Sequence, residues 1–365
     1  MSVPCVRVPT EDGEATRRRL AEADLLVDEY AITASDGDLY VPVSDPDAVP
    51  EDLAVVEFDA PERETPTTPA EILGFEPTYE RLGDVVILDE DSPERARKIA
   101  DAVMASDVRA KTVVNRASKV KGTERVRDWD VVAGDGTETV HTEYGCEFEL
   151  DLATVYFSPR LATERHRVVE QVQERAAERS ETADGESGEG QGPSDHSSGQ
   201  RPRENGDGGP VSREHAFDMF AGVGPYAVPM AKVGAEVVAT DINEDAIEYL
   251  RRNAERNGVS EDVTAIAGDV RETADEYEDW ADRIVMNLPH TADEFLDTAV
   301  ALAGEDCVIH FYDFQHEDDL YDPCEAAIRE AAEPEYDVTI ENERTVRSYA
   351  PHEFNVVVDA RLTRR

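Results

Sequence analysis

FDMFAGVGPYAVPMAKVGAEVVATDIN, residues 217–243, decides how the chain folds. Phe217–Phe220 is a short apolar run, and Ala221-Gly222-Val223-Gly224 breaks it. Pro225 suits a first helical turn, where its missing N–H has no intrahelical partner. A helix is predicted through Met230, then a β-branched strand, Glu236–Thr240, that ends in Asp241. Strand, glycine turn, helix and strand make half of a doubly wound sheet, whose ligand lies at the carboxyl ends of the strands.

The turn fits G-x-G-x-x-A through Gly222, Gly224 and Ala227, and Asp241 lies near the distance expected of an acid that takes ribose hydroxyls. A dinucleotide and S-adenosylmethionine both suit that geometry. Residues downstream separate them. Asp269 follows the apolar run Val263–Ala267, and the stretch from Asp282 to His290, DRIVMNLPH, puts Asn287-Leu-Pro289 at another strand end. An Asn-x-Pro there resembles the target-base motif of amino-group nucleic-acid methyltransferases; a dehydrogenase has no use for it. Further on come a helix (Asp293–Ala303), a strand (Asp306–Phe311), a helix (Cys324–Ala332) and strands at Tyr336–Arg347 and Phe354–Leu362. The last pair is the antiparallel edge hairpin that distinguishes methyltransferase sheets from dehydrogenase sheets.

Composition restricts the setting. With 365 residues the chain is long enough for two or three cores. It carries 83 acidic against 36 basic residues, a net charge of −47. Such a field normally repels a polyanionic partner. The acids are spread along the whole chain, however, and lysine is scarce, as on proteins of salt-saturated (haloarchaeal-type) cytoplasm. In molar salt the Debye length is about 3 Å, so only local charge counts. The four cysteines, Cys5, Cys146, Cys307 and Cys324, are scattered, and neither disulfides nor a metal site is expected. No apolar run reaches the roughly 18 residues of a membrane span. A cytoplasmic monomer is expected.

Residues 1–65 read as a small α/β module: a strand at Cys5–Val8, a helix at Glu14–Leu26, a hairpin through Asp36-Gly37 and a closing strand at Val55–Phe58. Pro61, Pro66, Pro69 and Pro77 mark a linker. A second unit, 71–179, has a strand at Val85–Leu88 and a helix from Pro93 to Met104. Between Arg109 and Arg127, seven basic residues face the single acid Glu124: Arg109, Lys111, Arg116, Lys119, Lys121, Arg125 and Arg127. These either balance acids elsewhere on the fold or form a phosphate-binding surface. Residues 139–157 alternate as a hairpin turning at Tyr144-Gly145. Ser158 is a candidate N-cap and Pro159 a first-turn residue of the helix that follows, to about Arg179. Arg160 and Glu164 then stand four apart on one face, the spacing of an ordinary surface ion pair. Residues 180–210 hold eight of the 22 glycines and one aliphatic, Ala183. That stretch is expected to be a disordered insertion before the last domain, 211–365.

Taken together, VNRASKVKG (114–122), YFSPRLATER (156–165), DMFAGVGPYAV (218–228), DINEDAI (241–247), GDVRE (268–272) and MNLPH (286–290) resemble the archaeal and eukaryotic tRNA (guanine-37 N1)-methyltransferases. The resemblance implies a Rossmann-like class I methyltransferase domain with a mostly parallel sheet, preceded by two smaller α/β RNA-binding units. It implies S-adenosylmethionine as cofactor and tRNA as partner, met at the anticodon loop and the outer corner. Cofactor residues are expected at Asp218, Phe220, Gly222, Gly224, Asp241, Asn243, Asp269 and Asn287. RNA contacts are expected at Arg116, Lys119, Lys121, Tyr156, Arg160, Arg165 and Pro289. Glu164 matches the family's catalytic carboxylate, and Arg125, with Arg127 as its near neighbour, matches the arginine facing the target base. His290 varies within such motifs and is given no role.

The implied chemistry is coherent. Guanine N1 carries a proton and is a poor nucleophile until a base, Glu164, removes it. The charge that develops on O6 suits an arginine donor, Arg125. Two rival enzymes act at the same tRNA position: the wybutosine-pathway aminocarboxypropyl transferase, and a methyltransferase of tricyclic guanosine. An RNA-binding scaffold with a vestigial pocket is a third reading, opposed by the intact set of Gly222, Gly224, Asp241 and Asn287.

Overall fold

The computed structural model describes residues 2–63, 66–119, 122, 125–186 and 213–365. Lys121, Glu124 and residues 187–210 lie outside the described residues. The chain divides into two compact units, one of residues 1–75 with 105–107 and one of 76–104 with 108–365.

In the first unit, β1 (Val3–Pro9) is flanked by α1 (Gly13–Glu22) in sequence and by β3 (Asp38–Pro42) and β4 (Ala54–Phe58) in space, with β2 (Thr33–Ser35) on the edge. The β2–β3 turn has positive φ at both Asp36 (54°) and Gly37 (88°), the handedness a two-residue hairpin requires. Helix α1 stops four residues before the expected Leu26. Asp24 takes a left-handed φ of 56°, and the N–H groups of Asp24 and Leu25 donate back to Ala21 and Leu20, a Schellman closure. The proline-rich stretch forms a short helix, α2 (Pro69–Leu73), whose Thr68 and Glu71 make a reciprocal capping box.

The second unit opens with a sheet of β5 (Glu80–Leu82), β6 (Val85–Leu88), β7 (Thr112–Arg116) and β8 (Trp129–Ala133), with α3 (Pro93–Ala105) making the parallel crossover from β6 to β7. The hairpin of β9 (Glu138–Glu143) and β10 (Cys146–Asp151) turns at Tyr144-Gly145 as expected. It ends six residues early because the Asp151 carboxylate and carbonyl collect the N–H groups of Ala153 and Thr154 and turn the chain. Next, α4 runs from Ala162 to Glu186, seven residues into the stretch expected as disordered. Its Ala, Glu and Arg content favours helix until Gly185.

The main sheet contains β11 (His215–Asp218), β12 (Glu236–Asp241), β13 (Val263–Ala267), β14 (Ala281–Met286), β15 (Ala303–His316), β16 (Tyr336–Ala350) and β17 (Glu353–Arg364), in the order β13-β12-β11-β14-β15-β17-β16. It is parallel from β13 to β15. The β16–β17 hairpin closes it antiparallel. Helices α5 (Ala227–Lys232), α6 (Glu244–Arg256), α7 (Val270–Thr273), α8 (Leu296–Leu302) and α9 (Asp322–Ala332) cover its faces. One core unites Val114, Phe148 and Val168 with Val237 and Leu250, so the smaller sheet and the parallel sheet share a single interior. Asn253 of α6 and Asn257, its C-cap, bond the backbone of β10 at Glu149 and Glu147, each amide both accepting an N–H and donating to a carbonyl. The order of strands reverses between β11 and β14, and their carboxyl ends carry the glycine turn and Asn287-Leu-Pro289. No described helix is long and apolar enough to cross a membrane.

Candidate active site

A cavity of about 630 Å³ opens at that switch point, within the usual range for ligand pockets. One end is built by the stretch that decides the fold. Gly222 (φ 54°) and Gly224 (φ 88°) both need left-handed backbone. At Gly224 a Cβ would also stand 3.1 Å from Leu250 and Val228, whereas at Gly222 it would meet nothing nearer than the Tyr156 carbonyl at 3.9 Å. The space in front of Gly222 is therefore open to a ligand. Asp241 receives the Gly222 N–H at 2.7 Å and the Asn243 N–H at 2.9 Å, which fixes its carboxylate on the cavity wall. Beside it the Ile242 side chain is 51% exposed, an apolar surface suited to a flat ring.

Two expected cofactor residues have structural duties as well, and a third lies outside the cavity. Asn243 caps α6 through the N–H groups of Asp245 and Ala246, and its Nδ2 donates to the Thr154 carbonyl. Asp269 caps α7 and pairs with Arg271, whose guanidinium lies 4.6 Å above the Phe295 ring. Asp218 is fully buried and does not line the cavity. Neither of its oxygens has a hydrogen bond of normal geometry, and burial pushes its carboxyl up to about 8, with the nearby Asp241 charge adding to the rise. Phe220 and Asn287 line the wall.

The other end is assembled from distant segments. Arg125, itself at φ 56°, sets its guanidinium 5.7 Å from the centre of the Tyr156 ring, and its Nη2 reaches to 3.5 Å from the Pro289 carbonyl. Arg127 stacks instead on Trp129, 5.4 Å away, where burial lowers its basicity. His290, at φ 90°, hydrogen-bonds Asp313 through its backbone and packs on Phe314 and Tyr349. The lining continues through Phe314, Arg347 and Asn355, which sequence reasoning missed.

Glu164 takes a different position from the surface pair its spacing suggested. It is 5% exposed and does not line the cavity, although its helix neighbours Leu161 and Arg165 do. Its Oε1 accepts the Tyr312 hydroxyl at 2.8 Å, and both oxygens accept from Arg167. Arg167 also holds Asp359, which faces His310 Nδ1 at 2.7 Å. Arg283 Nη1 points at His310 Nε2, so a neutral ring with its proton on Nδ1 satisfies both contacts. Burial indeed depresses the His310 pKa. Arg160 pairs with Glu80 instead of Glu164, and Ser158 takes the N-cap position without a side-chain bond.

The basic segment divides. Arg116 is consumed by Asp89 and Glu80, Lys119 is exposed, and Arg125 reaches the cavity. Arg165 is 4% exposed, forked onto Glu143 and bonded to the Ser158 carbonyl. Among the described residues no cluster of side chains could hold a metal.

Comparison with known proteins agrees with this architecture. The TRM5/TYW2 methyltransferase domain matches residues 139–178 and 210–341, the tRNA methyltransferase 5 N-terminal domain matches 5–51, and the TYW2 N-terminal domain matches 67–137. The chain is 36% identical to the tRNA (guanine(37)-N(1))-methyltransferase Trm5b of Pyrococcus abyssi, over 98% of each chain. It is 28% identical to the tRNA(Phe) (4-demethylwyosine(37)-C(7)) aminocarboxypropyltransferase of Methanocaldococcus jannaschii, over 78% of this chain and 98% of that one. The solved complex of aTrm5 and tRNALeu superimposes with a TM-score of 0.64 at 28% identity, covering 98% of this chain and 99% of that one. With its two preceding modules and its doubly wound sheet, the chain belongs to the TRM5/TYW2 methyltransferase family.

Proposed function

We propose that the protein methylates N1 of guanosine 37 in tRNA, next to the anticodon, with S-adenosylmethionine as methyl donor. The observation that carries this reading is the convergence of Arg125, Tyr156 and Pro289 on the same cavity as the Gly222–Asp241 turn. A nucleotide-type site and a base-facing arginine thus share one chamber. The open space before Gly222, the acceptor at Asp241 and the apolar Ile242 fit the cofactor's methionine, ribose and adenine parts. When bound, S-adenosylmethionine supplies a methyl group already activated by its sulfonium.

The chain's own residues do the rest. Asp241 accepts the ribose hydroxyls, and Asn287 stands where the target base enters. A base in the anticodon loop leaves its stack more cheaply than one in a duplex. Tyr156 gives it a face to lie against, and Arg125 donates to O6 as the N1 proton leaves. Glu164 accepts that proton. Because Arg167 and Tyr312 hold its oxygens behind the wall, substrate binding has to turn the carboxylate toward the chamber. Lys119 and Arg160, both exposed, meet phosphates. Arg165 contributes by holding the Tyr156–Ser158 turn in place.

Aminocarboxypropyl transfer is the second reading, favoured by the TYW2-type match over 67–137. The match of residues 5–51 to the tRNA methyltransferase 5 module and the full-length relative favour methyl transfer. The deciding experiment gives the purified protein labelled S-adenosylmethionine and tRNA transcripts with guanosine or adenosine at position 37, and identifies the product nucleoside by mass. One-methylguanosine is expected from the first and nothing from the second. An aminocarboxypropyl adduct, or a methyl group at another atom, overturns the reading.

A further inference from the structure

The β16–β17 hairpin places three cavity residues in one row across three strands. Asn355 of β17 is the register partner of Phe314 on β15 and of Arg347 on β16, and directly opposed residues share a face of the sheet. All three line the chamber beside Asn287-Leu-Pro289. Asn355 is 1% exposed, and its Oδ1 is buried without a hydrogen-bond partner. The Arg347 Nε is buried and unpartnered as well. Tyr349 packs on Phe314 with ring centres 3.9 Å apart, adding an aromatic wall to this end.

A buried amide oxygen without a donor is rare in a folded interior unless a ligand supplies one. Its chemistry limits the ligand group: Oδ1 only accepts, so it calls for an N–H or O–H. Guanosine within a chain offers three such groups: N1–H, the 2-amino group and the ribose 2′-hydroxyl. The first is spent in the reaction. We infer that Asn355, between Phe314 and Arg347, forms the floor of the target-nucleoside pocket and reads a donor the reaction leaves intact, the 2-amino group or the 2′-hydroxyl. This rests on the guanosine reading above and adds to it the residue that discriminates the substrate.

The test uses the full-length protein and three tRNAs that differ only at position 37: guanosine, inosine (no 2-amino group) and 2′-deoxyguanosine. Sites built to bond a polar group reject analogues lacking it, so one analogue should lose at least about tenfold in kcat/KM. In Asn355→Ala, guanosine and that analogue should react at equal rates, the ratio having collapsed. Asn355→Ser, whose hydroxyl is too short to take over the bond, should collapse it too, and serves if the alanine variant loses cooperative unfolding. Equal rates for all three RNAs with the unaltered protein overturn the inference, as does a ratio that persists in the variants. No methylation of the guanosine RNA by the unaltered protein would refute the functional reading instead.

Discussion

The two ends of the cavity are built in opposite ways. The end proposed for the cofactor comes largely from 27 consecutive residues, 217–243, in which each turn and strand end is set by its neighbours. The end proposed for the target base draws Arg125, Tyr156, Pro289, Phe314, Arg347 and Asn355 from segments spread over more than two hundred residues. Local construction makes the first end rigid and recognisable. Assembly from distant pieces lets the second change its specificity by altering a strand or a loop, while the cofactor turn stays the same.

Substitutions sharpen this contrast. The largest effect belongs to Glu164→Gln, which keeps shape and removes basicity: single-turnover methylation should fall by roughly 10² to 10⁴, with cofactor and tRNA affinity retained. A near-normal rate would move the base elsewhere. Next, Asp241→Ala removes the proposed ribose acceptor and the partner of two backbone N–H groups. Calorimetry should record cofactor binding weakened by roughly a hundredfold or more, the low end for two hydrogen bonds to a charged group, and unchanged affinity would break the assignment of that end. The smallest effect on activity comes from Asp218→Asn. The Asp218 carboxyl is held at about 8 in the fold against 3.8 for an ordinary aspartate. A raised value means its contribution to stability is fully present below about pH 4 and is lost as pH rises toward 8. The asparagine variant, neutral throughout, should lack that decline in urea midpoint. An identical pH profile would mean that the folded protein gives this carboxylate a partner.

Legibility in the sequence followed the same division. The doubly wound sheet, the glycine turn, Asp241 and Asn287 could be read because strand ends and glycines sit at fixed offsets in βαβ units. Arg125 and Tyr156 were placed only by family resemblance. Arg347 escaped because strand alternation fails around it, the β16 register against β17 shifting at Ile340/Asn342, Thr345/Arg347 and Ser348/Ala350, and Asn355 because β17 is buried on both faces from Asn355 to Ala360 and shows no alternation to read. Each bulge changes which parity faces the chamber. The setting of Glu164 was hidden for another reason. Arg167, three residues on, is visible in the sequence, but Tyr312, 148 residues away, is not.

The bonds from α6 to β10 have a consequence for how copies of the protein coexist. Four residues of helix rise about 6 Å, and two residues of strand span nearly the same length. Asn253 and Asn257 therefore match the repeat of Glu149 and Glu147, and a helix presents to β10 the donor–acceptor ladder of a third strand. A two-stranded ribbon would otherwise offer a bare edge to the next molecule. Where concentrated salt screens the −47 charge, electrostatic repulsion no longer keeps copies apart. Closure of that edge by two asparagine amides carries no net charge to be screened, so at Glu147 and Glu149 the ribbon has no free backbone groups to offer another copy at any ionic strength.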